Sequence, residues 1–160
     1  MAEARIFEDL KQDHDRQRKL LAKLGETQGA SDDRKALFET LRKELQAHAA
    51  AEEESLYATM LAMPDLREDA RHSVSEHKEV DDMLSELVEM DMSSSGWLVK
   101  FKEMRHRYLH HIGEEEEEMF PTAAEGLSKA AEKRLAEVFE KRKPRELERA
   151  AQEQPGDARE

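Results

Sequence analysis

The chain has 160 residues, no cysteine, 26 basic against 38 acidic side chains and a formal net charge of −12. This length can bury the core of one domain without covalent staples, and the lack of thiols excludes disulfides, cysteine nucleophiles, iron–sulfur clusters and thiolate zinc sites together. The acidic balance disfavours nucleic acid as a partner, no run approaches the ~20 apolar residues of a membrane span, and MAEARIFEDL has no signal-peptide core. A cytoplasmic location, with no membrane partner, is therefore expected.

The few breakers, 6 Gly and 4 Pro, separate segments dense in Ala, Leu, Glu, Lys and Arg, the strong helix formers. The first helix is expected over 3–24, ending at the Gly25–Asp33 break, with an inward stripe of Ile6, Leu10, His14, Gln17, Leu21 and Leu24. The second, over 32–62, carries Leu37, Leu41, Leu45, His48, Glu52, Leu56 and Met60 on one face. Pro64 suits the first turn of the third, over 65–91, whose stripe is Leu66, Ala70, Val74, His77, Val80, Leu84 and Val88. The fourth, over 96–119, presents Trp97, Phe101, Met104, Tyr108, His111, Glu115 and Met119. A shorter fifth helix over 129–142 follows Pro121–Ser128, with capping signals at Thr122-Ala-Ala-Glu125 and at Ser128. Beyond Pro144 the chain is charged and poor in apolar residues, as expected of a mobile tail with at most one or two helical turns.

No alternating strand pattern occurs. The predicted fold is all-α: an antiparallel up-down-up-down four-helix bundle spanning 1–142 with its short fifth helix, followed by a charged, flexible tail over 143–160.

Each long helix thus places a histidine in its apolar stripe, and these histidines obey an internal symmetry. His48 follows His14 by the same 34 positions that separate His111 from His77, and Glu stands four residues after His48 and after His111. A single offset of 63 residues carries His14, His48 and Glu52 onto His77, His111 and Glu115, and Glu53 and Glu54 onto Glu116 and Glu117. One such histidine is usually an ordinary core side chain, but six inward polar groups in register are expensive to bury without a common partner. A pair of divalent or trivalent cations would satisfy them, since the +4 spacing sets imidazole and carboxylate one turn apart on one face.

At about 100° per residue, His72, His106 and His110 point away from the inward stripes. They read as surface histidines, and the run Glu114–Glu118 reads as a solvated face apart from Glu115. Tyr57, Tyr108 and Trp97 are either core aromatics or lining for the site.

The pattern resembles the hemerythrin-like, or HHE cation-binding, family. The resemblance rests on DHD around His14, HAAAEEESLY from His48, SEHKEVD around His77 and HIGEEEEEMFP from His111, and it covers roughly residues 5–125. It implies a non-haem centre of two iron ions in which His14 and His48 bind one, His77 and His111 the other, and Glu52 and Glu115 bridge. Oxygen-carrying relatives have a second histidine four residues after the one in the third helix; here that position is Asp81. Asp81 is open to three readings: a weak ligand, a group that orients an imidazole, or an ordinary acidic helix residue. A missing histidine would leave more open positions, which favours reaction with peroxide, oxygen or nitric oxide over reversible storage.

The expected partner is therefore a small oxidant or diatomic molecule, with peroxide decomposition as one form of activity and a monomer or weak dimer as the assembly. A metal- or oxygen-dependent sensor and a protein that repairs or loads iron centres are the alternatives. Other divalent metals also suit imidazole and carboxylate ligands.

Overall fold

The computed structural model describes residues 3–155. Helix α1 spans Arg5–Gly25 and α2 spans Asp32–Glu52; α2 runs through a π-helical turn, Glu53–Tyr57, into the short α3, Ala58–Leu61. Helix α4 is Arg67–Glu89, and α5, Ser95–Glu114, passes through a second π-helical turn, Glu115–Met119, into α6, Phe120–Gly126. Helix α7 is Lys129–Gln152. The described residues contain no strand, so the all-α class is as expected.

Serines start three of these helices. Ser31, Ser94 and Ser128 each accept a hydrogen bond from the backbone N–H three residues on, which satisfies a donor that the first turn leaves without a helical partner. Thr122 lies inside α6, where its hydroxyl donates back to the Glu118 carbonyl at 2.9 Å; Ser128 is the working cap. Nor does the fourth helix stop at 119. Pro121 sits in the first turn of α6, where a missing N–H costs least, and the helix continues to Gly126.

The π turns have a cause in the residue spacing. The inward residues His48, Glu52, Leu56 and Met60, like His111, Glu115 and Met119, recur every four positions, and on an α-helix each such step drifts by about 40°. A wider i→i+5 turn just after or at the glutamate takes up that drift. Leu56, Tyr57, Met60 and Met119 are all buried as a result.

The apolar core falls into two clusters. One gathers Ile6, Leu10, Leu56, Met60, Leu66, Ala70, Met119 and Phe120 with Leu135 and Phe139 of α7. The other gathers Leu21, Leu24, Leu41, Leu45, Leu84, Leu87, Trp97, Phe101 and Tyr108. Helices α1 and α4 place residues of the first cluster near their starts and of the second near their ends, whereas α2 and α5 place residues in the second and lead through their π turns to residues of the first. Between the clusters each of the four contributes its histidine. Helix α1 packs on α2, α5 and α7, α4 packs on α5 and α2, and α7 lies along α2.

The far end of the second cluster is tied by Arg34. Its guanidinium donates to Thr27 Oγ1 at 2.9 Å, to the Thr27 carbonyl at 2.7 Å and to the Met92 carbonyl at 2.9 Å, and lies 5.0 Å from the Trp97 ring centroid. The turn it braces contains Gly29, whose φ of +57° suits glycine.

The expected tail is corrected. The fifth helix neither stops at 142 nor gives way there to a flexible segment; it runs through Pro144 to Gln152. An internal proline costs a helical hydrogen bond, and what holds the segment is polar rather than apolar. Lys143 is buried and reaches Asp13 Oδ2 at 2.6 Å and Glu44 Oε2 at 2.9 Å. Arg42 donates to the carbonyls of Ala150 at 3.1 Å and Glu153 at 2.9 Å. An apolar-stripe reading cannot see such anchors. Residues 156–160 of the expected tail lie outside the described residues.

Candidate metal centre

His14 on α1, His48 and Glu52 on α2, His77 on α4, His111 on α5 and Glu115 at the start of the second π turn converge between the two apolar clusters, all buried. Their Nε2 atoms face inward. His48 Nε2 and His77 Nε2 lie 3.4 and 3.3 Å from Glu52 Oε1; His14 Nε2 lies 3.4 Å from Glu115 Oε1, and His111 Nε2 lies 3.2 Å from Glu115 Oε2. The rings pair as His14 with His48 and His77 with His111, with centroids 5.0 and 4.8 Å apart. Each pair, together with Glu52 and Glu115, brings four candidate ligand atoms within 4.8 Å of one another. The two carboxylates belong to both sets.

Every Nδ1 atom faces a carboxylate on the outside of this cage. His48 meets Asp13 at 2.9 Å, His111 meets Glu76 at 2.9 Å, His77 meets Glu53 at 2.8 Å and His14 meets Glu116 at 2.7 Å. An ionised carboxylate only accepts, so Nδ1–H donates and each ring turns Nε2 inward, the atom that a cation would bind once its proton is displaced. The 63-residue offset relates Asp13 to Glu76 and Glu53 to Glu116, so this outer set repeats with the inner one. Sequence reasoning missed it. The Glu53 and Glu116 pair stood in the repeat but was read as flank and solvated face, and Asp13 and Glu76 each precede a ligand histidine by one residue.

Further groups complete the surroundings. Tyr57 OH donates to Glu115 Oε2 and Tyr108 OH to Gln17 Oε1, while Gln17 Nε2 donates to Glu44 Oε2 at 2.8 Å. Trp97 stacks on Phe101 inside the second apolar cluster, so it is a core aromatic. Asp81 is buried in the wall of a cleft beside His48 and His77, outside both sets of convergent ligand atoms. His72, His106 and His110 are exposed, as their helix phase requires.

The electrostatics are those of an anionic cage. Burial disfavours the imidazolium forms, but carboxylates outweigh it: Asp13 and Glu52 push His48 up to about 10, and Glu115 and Glu76 push His111 up to about 10. His14 is raised by Glu115 and Glu116 in the same way. Burial opposes the ionised form of Glu115 too, yet the neighbouring His111 and His14 hold it well below the usual carboxylate range. For Tyr57, burial and the two cage carboxylates all raise the phenol, so it stays a donor.

Seven cage atoms are buried without a hydrogen-bond partner among the described residues: all four Nε2 atoms, both oxygens of Glu52, and Oε1 of Glu115. Buried polar atoms are almost always paired, and these seven all turn to one interior. The donor set of imidazole nitrogens and carboxylate oxygens fits a first-row transition metal. An all-helical fold around such a cage is the architecture of a helical cation-binding domain.

The sequence model of the hemerythrin HHE cation binding domain matches residues 5–123, and the chain belongs to that family. Among solved structures it is similar to the crystal structure of a hemerythrin HHE cation binding domain-containing protein from Mycobacterium kansasii, a homolog of Rv2633c. The two are 28% identical with a TM-score of 0.78, over 92% of this chain and 89% of that one. No curated protein matches. Among the described residues no helix is long and apolar enough to cross a membrane.

Proposed function

We propose that this protein is a non-haem di-iron protein that binds or reacts with a small oxidant, peroxide, oxygen or nitric oxide, inside an up-down-up-down bundle of α1, α2, α4 and α5. The observation that carries the reading is the set of seven orphaned cage atoms, which a pair of cations would satisfy together. His14 and His48 would hold one iron and His77 and His111 the other, with Glu52 and Glu115 shared between them. Paired irons, when bound, supply open positions and redox equivalents for a small oxidant.

The chain's own residues do the rest. Asp13, Glu53, Glu76 and Glu116 fix the tautomer and aim of the four rings. Tyr57 holds one oxygen of Glu115 and keeps a proton beside the cage. A cleft of about 230 Å³ leads to His48 and His77, with Leu45, Ala49, Val80 and Leu84 on its wall beside Glu53, Glu54, Asp81, Glu146 and Arg149. Its apolar surface suits a small uncharged molecule, and its carboxylates disfavour an organic anion.

One observation favours a second reading, a metal-dependent regulatory module. Lys143 of α7 binds Asp13, and Asp13 holds His48, so cation occupancy and α7 docking share a residue. Anaerobic purification, metal counting, and separate addition of peroxide, oxygen and nitric oxide distinguish the two. Catalytic loss of peroxide supports the enzyme; binding spectra without turnover, with α7 becoming protease-sensitive on metal removal, support the regulator. A chain that takes up less than one iron overturns both.

A further inference from the structure

The outer face of the His111 half carries a second group of ligand-type atoms. His72 Nε2 lies 3.4 Å from Glu76 Oε1 and 3.3 Å from Glu114 Oε1, and His110 Nε2 lies 3.1 Å from Glu114 Oε2. His72, Glu76 and Glu114 each offer one atom within 4.8 Å of the others. They line a cavity of about 260 Å³ that also includes Asp69 and Glu118 and reaches His111 and Glu115.

This group is connected to the cage. Glu76 Oε1 is shared between His72 on the outside and His111 Nδ1 on the inside, at 3.4 and 2.9 Å. Side-chain exposure falls along that path from 56% at His72, through 32% at Glu114 and 18% at Glu76, to 2% at His111 and 0% at Glu115. At its inner end the cavity is lined by the cage residues His111 and Glu115 themselves. A hydrated cation must shed water to enter a cage, and a graded series of oxygen and imidazole ligands replaces that water stepwise. A cavity lined by one sign of charge also concentrates the opposite ion.

We propose that His72, Glu76 and Glu114 form a cation-loading site, a vestibule where a divalent metal first binds before it passes to the buried cage. The inference rests on the reading that the cage holds metal. It divides the two openings: cations enter through the cavity at His72, where the ligand-type atoms converge, and the small oxidant enters through the cleft at His48 and His77, which adds Leu45, Val80 and Leu84 to its lining.

The test uses full-length, chelator-stripped protein and ferrous iron alone, added anaerobically. Parent protein, the double variant His72→Ala/Glu114→Gln and the charge control Glu137→Gln on exposed α7 surface are compared by stopped-flow uptake and by final metal content. The vestibule variant is expected to fill the cage to the parental stoichiometry about tenfold more slowly, the size of effect that a focused local charge has on association. The control is expected to load at the parental rate. Manganese titration followed by electron paramagnetic resonance is expected to show in the parent a weaker bound ion beyond the cage equivalents, lost in the vestibule variant.

Equal uptake rates in the parent and the double variant overturn the loading site, as does an equal slowing in the control. Equal manganese binding in the parent and the variant does the same. A parent that takes up no iron instead removes the metal reading beneath it, so the two failures are distinguishable.

Discussion

His48 Nδ1 donates to Asp13 Oδ2 at 2.9 Å, and the same oxygen of Asp13 receives the buried ammonium of Lys143 at 2.6 Å. One carboxylate therefore joins a cage histidine of α2 to the last helix of the chain. The related carboxylate, Glu76, meets His111 on its inner side and the exposed His72 on its outer side. The repeat is shared, but the surroundings of its two halves differ.

Asp13 and Glu116 serve the two histidines of one half, His48 and His14. Asp13→Ala and Glu116→Ala are each expected to leave metal stoichiometry intact at saturation while weakening one of two equivalents by about 10–100-fold, the usual cost of losing a carboxylate behind a ligand histidine. Competition with a chromophoric chelator measures this. Equal weakening of both equivalents would contradict the assignment of these residues to one half.

Removing the lysine leaves Asp13 and Glu44 without their buried cation, with only the exposed Arg16 between them. Lys143→Met is expected to cost about 3 kcal/mol, because breaking a buried pair strands the remaining charges. Urea unfolding of chelator-stripped parent and variant gives the value. Truncation after Arg142 removes this ion pair and the carbonyl acceptors of Arg42, so it is expected to destabilise at least as much. A truncated chain as stable as the parent would show that α7 beyond residue 142 is dispensable.

Asp9 of α1 faces Glu140 of α7. Burial first, then the hydrogen bond and charge of Glu140, push the Asp9 carboxyl up to about 7. A carboxyl raised on folding binds its proton more tightly in the native state, so its stabilisation is complete below about pH 4 and is lost as pH rises through about 7. Asp9→Asn is expected to melt like the parent at about pH 4 and increasingly above it as pH rises to about 8. Parallel pH–Tm curves for the two proteins would contradict a shared proton at this interface.

The guanidinium of Arg34, with three hydrogen bonds and an aromatic face at the α1–α2 and α4–α5 turns, is expected to be a stability residue only. Arg34→Ala should lower stability by about 2 kcal/mol through the two carbonyls and the indole face it leaves uncovered, with metal content unchanged. Loss of metal at full secondary structure by circular dichroism would contradict that separation.

Much of this was legible in the residues. Apolar periodicity marked the four long helices and their inward faces, Val88 excepted, which is exposed, and the 63-residue offset marked the six cage residues that the fold brings together. What escaped had physical reasons. The π turns answer a four-residue spacing whose drift a uniform α-helical wheel ignores, and the extension of α7 to Gln152 is held by Lys143 and Arg42, polar anchors that hydrophobic patterning does not register. The outer carboxylates were hidden by composition: with 38 acidic residues, Glu116 looked like its solvated neighbours until the fold brought it to His14. The cluster at His72 depends on contacts between α4 and the end of α5 that no single-helix projection contains.

The proposed function places two cations on His14, His48, Glu52, His77, His111 and Glu115. Anaerobic ferrous titration of the chelator-stripped chain, with metal counted by mass spectrometry, tests it most directly when His48→Ala and Glu115→Ala are titrated beside the parent. About two irons are expected per parent chain, about one in His48→Ala, and one or fewer in Glu115→Ala, which removes a ligand common to both positions. Variants that retain the full parental iron content would contradict it.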